Sequence, residues 1–203
     1  MARTGLLGGS FNPPHVGHML CAQEALTGLG LDRVLLMPVH TPPHKELEEE
    51  PGVDHRLALC RLAAAGAEGI EVSSLEADQP GRSFTIDTLR RLHEREPGNE
   101  LTFILGADQA SGLPGWREPA GILELAELGV AGRGDVRDGD VLERLADLPG
   151  AAARVRFFSM PRIDVSSSLI RARAAEGRPL RWLVPDAVAD YIAAHGLYGA
   201  VAR

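Results

Sequence analysis

Short apolar runs alternate with amphipathic stretches along the chain, and this alternation restricts the folds that the sequence can adopt. Parallel strands need a crossover connection between them, and that connection is usually a helix. The order therefore predicts an α/β fold, a doubly wound parallel sheet with helices on both faces and right-handed crossovers. The predicted strands are Thr4–Gly8, Arg33–Met37, Ile70–Ser73, Leu101–Leu105, Leu128–Ala131 and Arg154–Ser159.

The predicted helices fill the intervals between these strands and close the chain. They are Val16–Thr27, Val53–Ala65, Ser83–Arg95, Gly121–Ala126, Val141–Asp147, Ser167–Glu176 and Asp186–His195. No further strand follows the last two helices, and we expect residues 1–160 to form the core. Residues 161–203 are expected to form a small helical C-terminal subdomain packed on it.

The usual strand order of such a sheet, 3-2-1-4-5-6, predicts where a ligand binds. Ligands of open α/β sheets lie beyond the carboxyl ends of the strands, at the point where the strand order reverses. That point falls between the first and fourth strands. The segments that leave these strands are "GGSFNPPHVGH" (residues 8–18) and "GADQASGLPGW" (residues 106–116).

Composition excludes several classes of function. The formal net charge is −7, from 21 basic and 28 acidic residues, which argues against a dedicated binder of nucleic acid or of an acidic membrane. The two cysteines, Cys21 and Cys60, are too few for a disulfide scaffold and are expected to be core residues. No signal peptide opens the chain and no apolar run approaches ~20 residues, so we expect a cytoplasmic enzyme or binding protein. The sequence leaves the oligomeric state open, and a homodimer is one alternative.

The segment "GGSFNPPHVGH" has the features of an anion site. Glycines allow close approach of the backbone to a ligand, and a helix that starts near Val16 directs free N–H groups into the turn. His15 and His18 lie where both rings could face that site. The segment is neither a Walker loop nor a Gly-x-Gly-x-x-Gly fingerprint. One helix-capping histidine and one surface histidine would explain the pair equally well.

Four further stretches carry chemistry, each with a structural alternative. "MPVHTPPHK" (residues 37–45) contains Lys45, the sole lysine, which is a phosphate ligand or a surface residue. "GRSFTIDTL" (residues 81–89) places Ser83 or Thr85 at a helix start, where simple capping explains the hydroxyls. Trp116 is a ligand contact or a packing residue. "DVSSSLIRAR" (residues 164–173) is a triphosphate cradle or a capped helix with surface arginines.

These segments together resemble a known family. "HVGH" resembles the HxGH signature of the nucleotidyltransferase superfamily, and "VSSSLIR" its second signature. "MPVHTPPHK", "SFTIDTL", "GAD" followed by Trp after seven residues, and "LVPDAVADYIAAHGLY" resemble stretches of bacterial nicotinate-nucleotide adenylyltransferases, in the same order. The resemblance runs from Gly8 to Tyr198. It implies a Rossmann-like nucleotidyltransferase fold and transfer of the adenylyl group of ATP to nicotinate mononucleotide, without a covalent enzyme intermediate.

The resemblance also assigns roles to individual residues. The catalytic residues would be His15, His18 and Lys45. ATP would be bound by Gly8, Gly9, Ser10, Phe11, His18, Gly106, Asp108, Arg133, Ser167, Ser168 and Arg171. Nicotinate mononucleotide would be bound by Ser10, Lys45, Thr85, Trp116 and Arg117. The cofactor would be Mg²⁺, held mainly by the ATP phosphates and not by a protein metal site. "AGRGD" replaces the family's usual Arg-Pro-Gly after the fifth strand, which makes Arg133 less secure as a nucleotide contact.

Three other functions stay open on the sequence alone. A cytidylyltransferase for a small alcohol phosphate would share HxGH but not the "SFTIDTL" and "GAD…W" stretches. A nicotinamide-preferring adenylyltransferase would differ only around the ring substituent. A nucleotide-sensing module without turnover could retain the phosphate cradle.

Overall fold

The computed structural model describes residues 1–41, 50–132 and 138–200, and its sheet follows the predicted strands closely. The strands are β1 (Arg3–Gly9), β2 (Arg33–Pro38), β3 (Ile70–Val72), β4 (Glu100–Gly106), β5 (Ala126–Gly132) and β6 (Val155–Ser159). The helices are α1 (Val16–Gly28), α2 (Val53–Ala64), α3 (Thr85–Arg95), α4 (Ala107–Ser111), α5 (Pro119–Leu125), α6 (Asp138–Arg144), α7 (Ala151–Arg154), α8 (Ser167–Ala175) and α9 (Asp186–Ala194).

The strands form one parallel sheet in the order β3-β2-β1-β4-β5-β6. Leu6 in β1 lies opposite Leu35 in β2 and Phe103 in β4. The predicted fold class is therefore confirmed. The order reverses at β1 and β4, which places the carboxyl ends of these two strands at the switch point.

Successive residues of the strands supply two different cores, because side chains alternate across a sheet. Leu6 and Phe103 pack with α3 and α5 on one face, and Leu7 and Ile104 pack with α1 on the other. A strand buried on both faces needs a continuous apolar run. Cys21 and Cys60 are both buried in the second core, as predicted.

The C-terminal helices make a third apolar cluster on α2. Ile170 of α8 and Val188 of α9 pack with Leu59, and all three side chains are fully buried. Val16 at the start of α1 donates its N–H to the carbonyl of Leu183 over 3.0 Å. This contact joins the C-terminal segment to the first helix. The division at residue 160 stays a prediction.

The structure differs from the sequence predictions mainly at helix ends. α3 begins at Thr85 with Phe84 as its N-cap, so neither Ser83 nor Thr85 caps it through a side chain. Instead the Ser83 hydroxyl accepts the N–H of His40 over 3.3 Å. α4 was not predicted, since five residues show no periodic pattern. α6 starts three residues earlier than predicted, where Asp138 and Asp140 complement the positive end of the helix dipole.

No helix in the described ranges is both long and apolar enough to cross a bilayer.

Candidate active site

A cleft of about 770 Å³ opens at the carboxyl ends of β1 and β4. Five segments supply the predicted site residues on its walls: the β1–α1 turn, the start of α3, the β4–α4 junction, the loop that carries Trp116, and the start of α8. The predicted site residues that line it are Gly8, Gly9, Ser10, His15, His18, Thr85, Gly106, Asp108, Trp116, Arg117, Ser167, Ser168 and Arg171. The topology therefore gathers segments that are far apart in the sequence.

Of the remaining predicted site residues, one is located away from the cleft wall and two lie outside the described residues. The side chain of Phe11 does not line the cleft: it is 1% exposed and packs in the core beneath it. Its ring stands edge-on to that of His18, with centroids 5.0 Å apart. Lys45 and Arg133 lie outside the described residues.

The two histidines form a pair at the start of α1. His15 is the N-cap residue, and its backbone N–H donates to Nδ1 of His18 over 3.2 Å. The ring centroids lie 3.8 Å apart, with an interplanar angle of 31°. Because Nδ1 of His18 accepts a hydrogen bond, the proton of its neutral ring resides on Nε2. His18 thus presents an N–H donor at a helix N-terminus, where negative charge is favoured.

Gly17 lies between the histidines and leaves room for the His15 ring. A Cβ at this position would be 3.1 Å from both Cε1 and Nδ1 of His15. That distance is shorter than ordinary van der Waals contact, so a side chain here would push the ring aside. The glycine of the "HVGH" stretch therefore has a local steric explanation.

The start of α8 docks directly on the β1–α1 turn. The Ser167 hydroxyl donates to the carbonyl of Pro13 over 2.8 Å, and Nη1 of Arg171 donates to the carbonyl of Asn12 over 3.1 Å. Nη2 of Arg171 donates to Oγ of Ser168 over 3.3 Å. Arg171 is only 6% exposed, so its charge sits in a water-poor setting at the cleft wall. Two helix N-termini and a buried guanidinium make this end of the cleft attractive to anions.

The other end of the cleft is aromatic. Trp116 is half-buried and packs edge-on against Phe103, with ring centroids 6.0 Å apart. The Arg117 guanidinium carbon lies 4.9 Å from the centroid of the Phe84 ring, and its Nη1 is 3.3 Å from Oδ2 of Asp87. Thr85 opens α3 beside them. A flat ring could stack here while a charged group reaches the histidines.

Glu76 lines the cleft but gave no signal in the sequence. It is 6% exposed, and the Thr88 hydroxyl donates to its Oε1 over 2.6 Å. Burial raises the pKa of the Glu76 carboxyl above its ordinary value, although the Thr88 hydrogen bond opposes the shift. A buried acid in a loop breaks the hydrophobic pattern, so only the folded chain identifies it.

Candidate metal ligands are few in the part of the chain that the structure describes. No cluster of three or more His, Cys, Asp or Glu side chains there could hold an ion. Asp108, exposed in the first turn of α4, is a carboxylate that lines the cleft. Any divalent cation at these residues would need most of its ligands from a bound substrate.

Comparison with known proteins agrees with this geometry. A family model described as cytidylyltransferase-like matches residues 6–173. A protein of Roseiflexus sp. (strain RS-1) named "Probable nicotinate-nucleotide adenylyltransferase" is 46% identical over 199 residues, which cover 97% of this chain and 98% of the relative. A protein of Thermomicrobium roseum with the same name is 41% identical over 201 residues, covering 99% of this chain and 94% of the relative.

Solved structures show the same fold at lower identity. Plasmodium falciparum nicotinic acid mononucleotide adenylyltransferase complexed with APC superposes with a TM-score of 0.79 at 17% identity, over the full length of both chains. The same enzyme complexed with NaAD gives a TM-score of 0.78 at 19% identity, again over both full chains. The long alignments to the bacterial relatives decide the family. The chain belongs to the cytidylyltransferase-like family and, within it, to the nicotinate-nucleotide adenylyltransferases.

Proposed function

We propose that this protein transfers the adenylyl group of ATP to nicotinate mononucleotide and releases nicotinate adenine dinucleotide and pyrophosphate. One observation carries the proposal: a single cleft at the switch point has an anion-attracting end, with the Arg171 guanidinium, His15 and His18, and an aromatic end, with Trp116. A nucleoside triphosphate and a pyridine nucleotide together offer the complementary groups. The names of the bacterial relatives support the same reaction.

The chemistry is an in-line displacement at the α-phosphorus of ATP. An oxygen of the 5′-phosphate of nicotinate mononucleotide forms the new bond to that phosphorus. The bond to the oxygen that bridges the α- and β-phosphates breaks, and pyrophosphate leaves with the electron pair. Phosphate monoesters are largely ionised at neutral pH, so the nucleophile needs no protein base. The protein therefore acts by positioning the substrates and neutralising charge.

The anion-attracting end supplies the positive charge of Arg171 and the hydrogen-bond donors for this neutralisation. His18 donates from Nε2 toward the α-phosphate, with His15 beside it at the start of α1. Arg171 and the α8 N-terminus hold the remaining phosphates of ATP. Arg171 gives planar, multiple donors, which suit phosphate oxygens. Donors fixed by the fold cost no reorganisation when charge develops in the transition state.

The aromatic end selects the pyridine nucleotide. Trp116 stacks on the pyridine ring, and Thr85 and Arg117 lie where a ring carboxylate would be received. Mg²⁺ would be held by the triphosphate oxygens and would neutralise their charge, with Asp108 as the carboxylate at hand.

A pyrophosphate-release assay tests the proposal with four substrate combinations. ATP with nicotinate mononucleotide should give pyrophosphate and the dinucleotide. ATP with nicotinamide mononucleotide should give much less, and CTP with an alcohol phosphate should give none. ATP alone measures background hydrolysis. Absence of pyrophosphate with every acceptor would favour a sensing module, and turnover of CTP would favour a cytidylyltransferase.

A further inference from the structure

Arg56 of α2 is a fully buried charge that the proposed mechanism does not use. Its side chain is 1% exposed, and it does not line the cleft. Nε donates to Oε1 of Glu50 over 2.7 Å. Burying a guanidinium is costly unless its charge and its donors are matched, so such a residue needs a reason.

Its other donors bind backbone carbonyls at the carboxyl ends of two neighbouring strands. Nη1 donates to the carbonyls of Ser10 and Val39, over 2.9 and 2.7 Å, and Nη2 donates to the carbonyl of His40 over 2.9 Å. Ser10 follows β1, and the other two follow β2. One guanidinium thereby ties together the turn that follows β1 and the turn that follows β2, at the carboxyl ends of the strands.

The bond to Ser10 fixes the orientation of a peptide group. The Ser10–Phe11 peptide is trans, so its C=O and N–H point in opposite directions. Because the carbonyl points at Arg56, the Phe11 N–H points away from Arg56. Ser10 itself lines the cleft, while Arg56 lies behind it. No carbonyl of the described residues accepts the Phe11 N–H.

The backbone at Phe11 also needs to be held in place. Its φ is +46°, in the left-handed region that a bulky residue rarely adopts. Such a conformation is strained and persists only when the surroundings determine it. The buried Phe11 ring anchors the residue from one side, and the Arg56 bond anchors the preceding carbonyl from the other.

We propose that Arg56 is a positioning residue that holds the Ser10–Phe11 peptide with its N–H directed at a bound phosphate. The inference rests on the proposed function, because it takes the phosphate from the reacting nucleotides. It assigns the predicted contact of Phe11 with the nucleotide to its backbone N–H. A lysine in place of Arg56 keeps the charge but cannot bind three carbonyls and a carboxylate in one plane.

The test compares Arg56→Lys with a matched variant, Arg33→Lys. Arg33 also links β1 and β2, since its Nε donates to Oγ1 of Thr4 over 3.2 Å, but it does so at the amino ends of the strands, away from the cleft. Steady-state kinetics and thermal unfolding are measured for both. We expect R56K to lower kcat ~10- to 100-fold, because a misdirected oxyanion donor is lost from the transition state. R33K should keep kcat even where its Tm falls.

Replacing the Phe11 amide by an ester provides a test that leaves Arg56 in place. The ester removes the N–H and also weakens the Ser10 carbonyl as the acceptor of the Arg56 hydrogen bond, and it should lower kcat ~100-fold in a protein of native fold. This variant keeps the inference falsifiable where R56K fails to fold. A kcat equal to wild type in either folded variant would overturn it. An inactive wild-type protein would instead reject the proposed function, so the two failures are distinguishable.

Discussion

The backbone N–H of His15 donates to Nδ1 of His18 over 3.2 Å, and this bond sets the proton of the second ring on Nε2. A hydrogen bond between residues three positions apart therefore fixes an N–H donor at the cleft. His18→Ala should lower kcat ~100- to 1000-fold, the typical effect of removing one such donor. The free energy of unfolding should fall by about 1 kcal/mol, as for a lost helix cap.

Pyrophosphate release and thermal unfolding check both expectations. His93→Ala is the matched control, because His93 lies exposed in the last turn of α3 and outside the cleft. It should match the wild-type protein in both measurements. Near-normal turnover of a folded H18A protein would refute the role of His18.

Gly17→Ala should separate activity from stability. An alanine normally stabilises a helix by about 0.5–1 kcal/mol relative to glycine. Here the added Cβ would lie 3.1 Å from the His15 ring and displace it. Small displacements of catalytic groups are costly, so we expect kcat to fall ~10-fold while Tm stays level or rises.

Gly139→Ala is the corresponding control for this substitution. Gly139 lies in α6, and a Cβ there would meet nothing within 4 Å. The control should gain stability with unchanged kinetics. If G17A matches it in kcat, the His15 ring is not held in a required position.

The two tryptophans allow a test of the aromatic end. Trp116 lines the cleft against Phe103, whereas Trp182 is 78% exposed. Stacking of a base on an aromatic side chain contributes about 1–3 kcal/mol by alanine substitution. Trp116→Ala should raise the KM for nicotinate mononucleotide by ~5- to 150-fold and leave the KM for ATP unchanged. Trp182→Ala should change neither, and equal effects on both substrates in W116A would contradict a stacking role.

The sequence predicts the sheet well because the strands are buried on both faces. Leu6–Leu7 and Phe103–Ile104 each supply neighbouring residues to opposite cores, so their runs are continuous and easily recognised. When the six strands adopt the usual order of such a sheet, the topology itself brings the turns after β1 and β4 together. Motifs about 90 residues apart therefore converge without further information.

Burial of polar side chains could not be predicted in the same way. Arg56 and Glu76 are charged residues in stretches of mixed polarity, and their patterns equally suit a solvated surface. Their partners include three backbone carbonyls, the Glu50 carboxylate and the Thr88 hydroxyl, and no sequence pattern pairs these groups with them. The position of the Phe11 ring could not be predicted either: its backbone is left-handed and its ring packs in the core, while its role in ATP binding stays a prediction.

Glu76 predicts a specific dependence of stability on pH. Burial raises the pKa of its carboxyl in the folded state above the ordinary 4.5, so the folded protein holds this proton more tightly than the unfolded chain. The stability that this proton contributes is present at pH values below the ordinary pKa. It is lost as the pH rises through the pKa of the folded state.

Glu76→Gln removes this dependence, because glutamine resembles the neutral carboxyl and can still accept the Thr88 hydrogen bond. The Tm of E76Q minus that of the wild-type protein should become more positive as pH rises from about 4 to 8. Glu94→Gln removes the same charge from an exposed position on α3 and corrects for the change in net charge. A Tm difference for E76Q that is independent of pH, or that follows E94Q, would show that burial does not perturb Glu76.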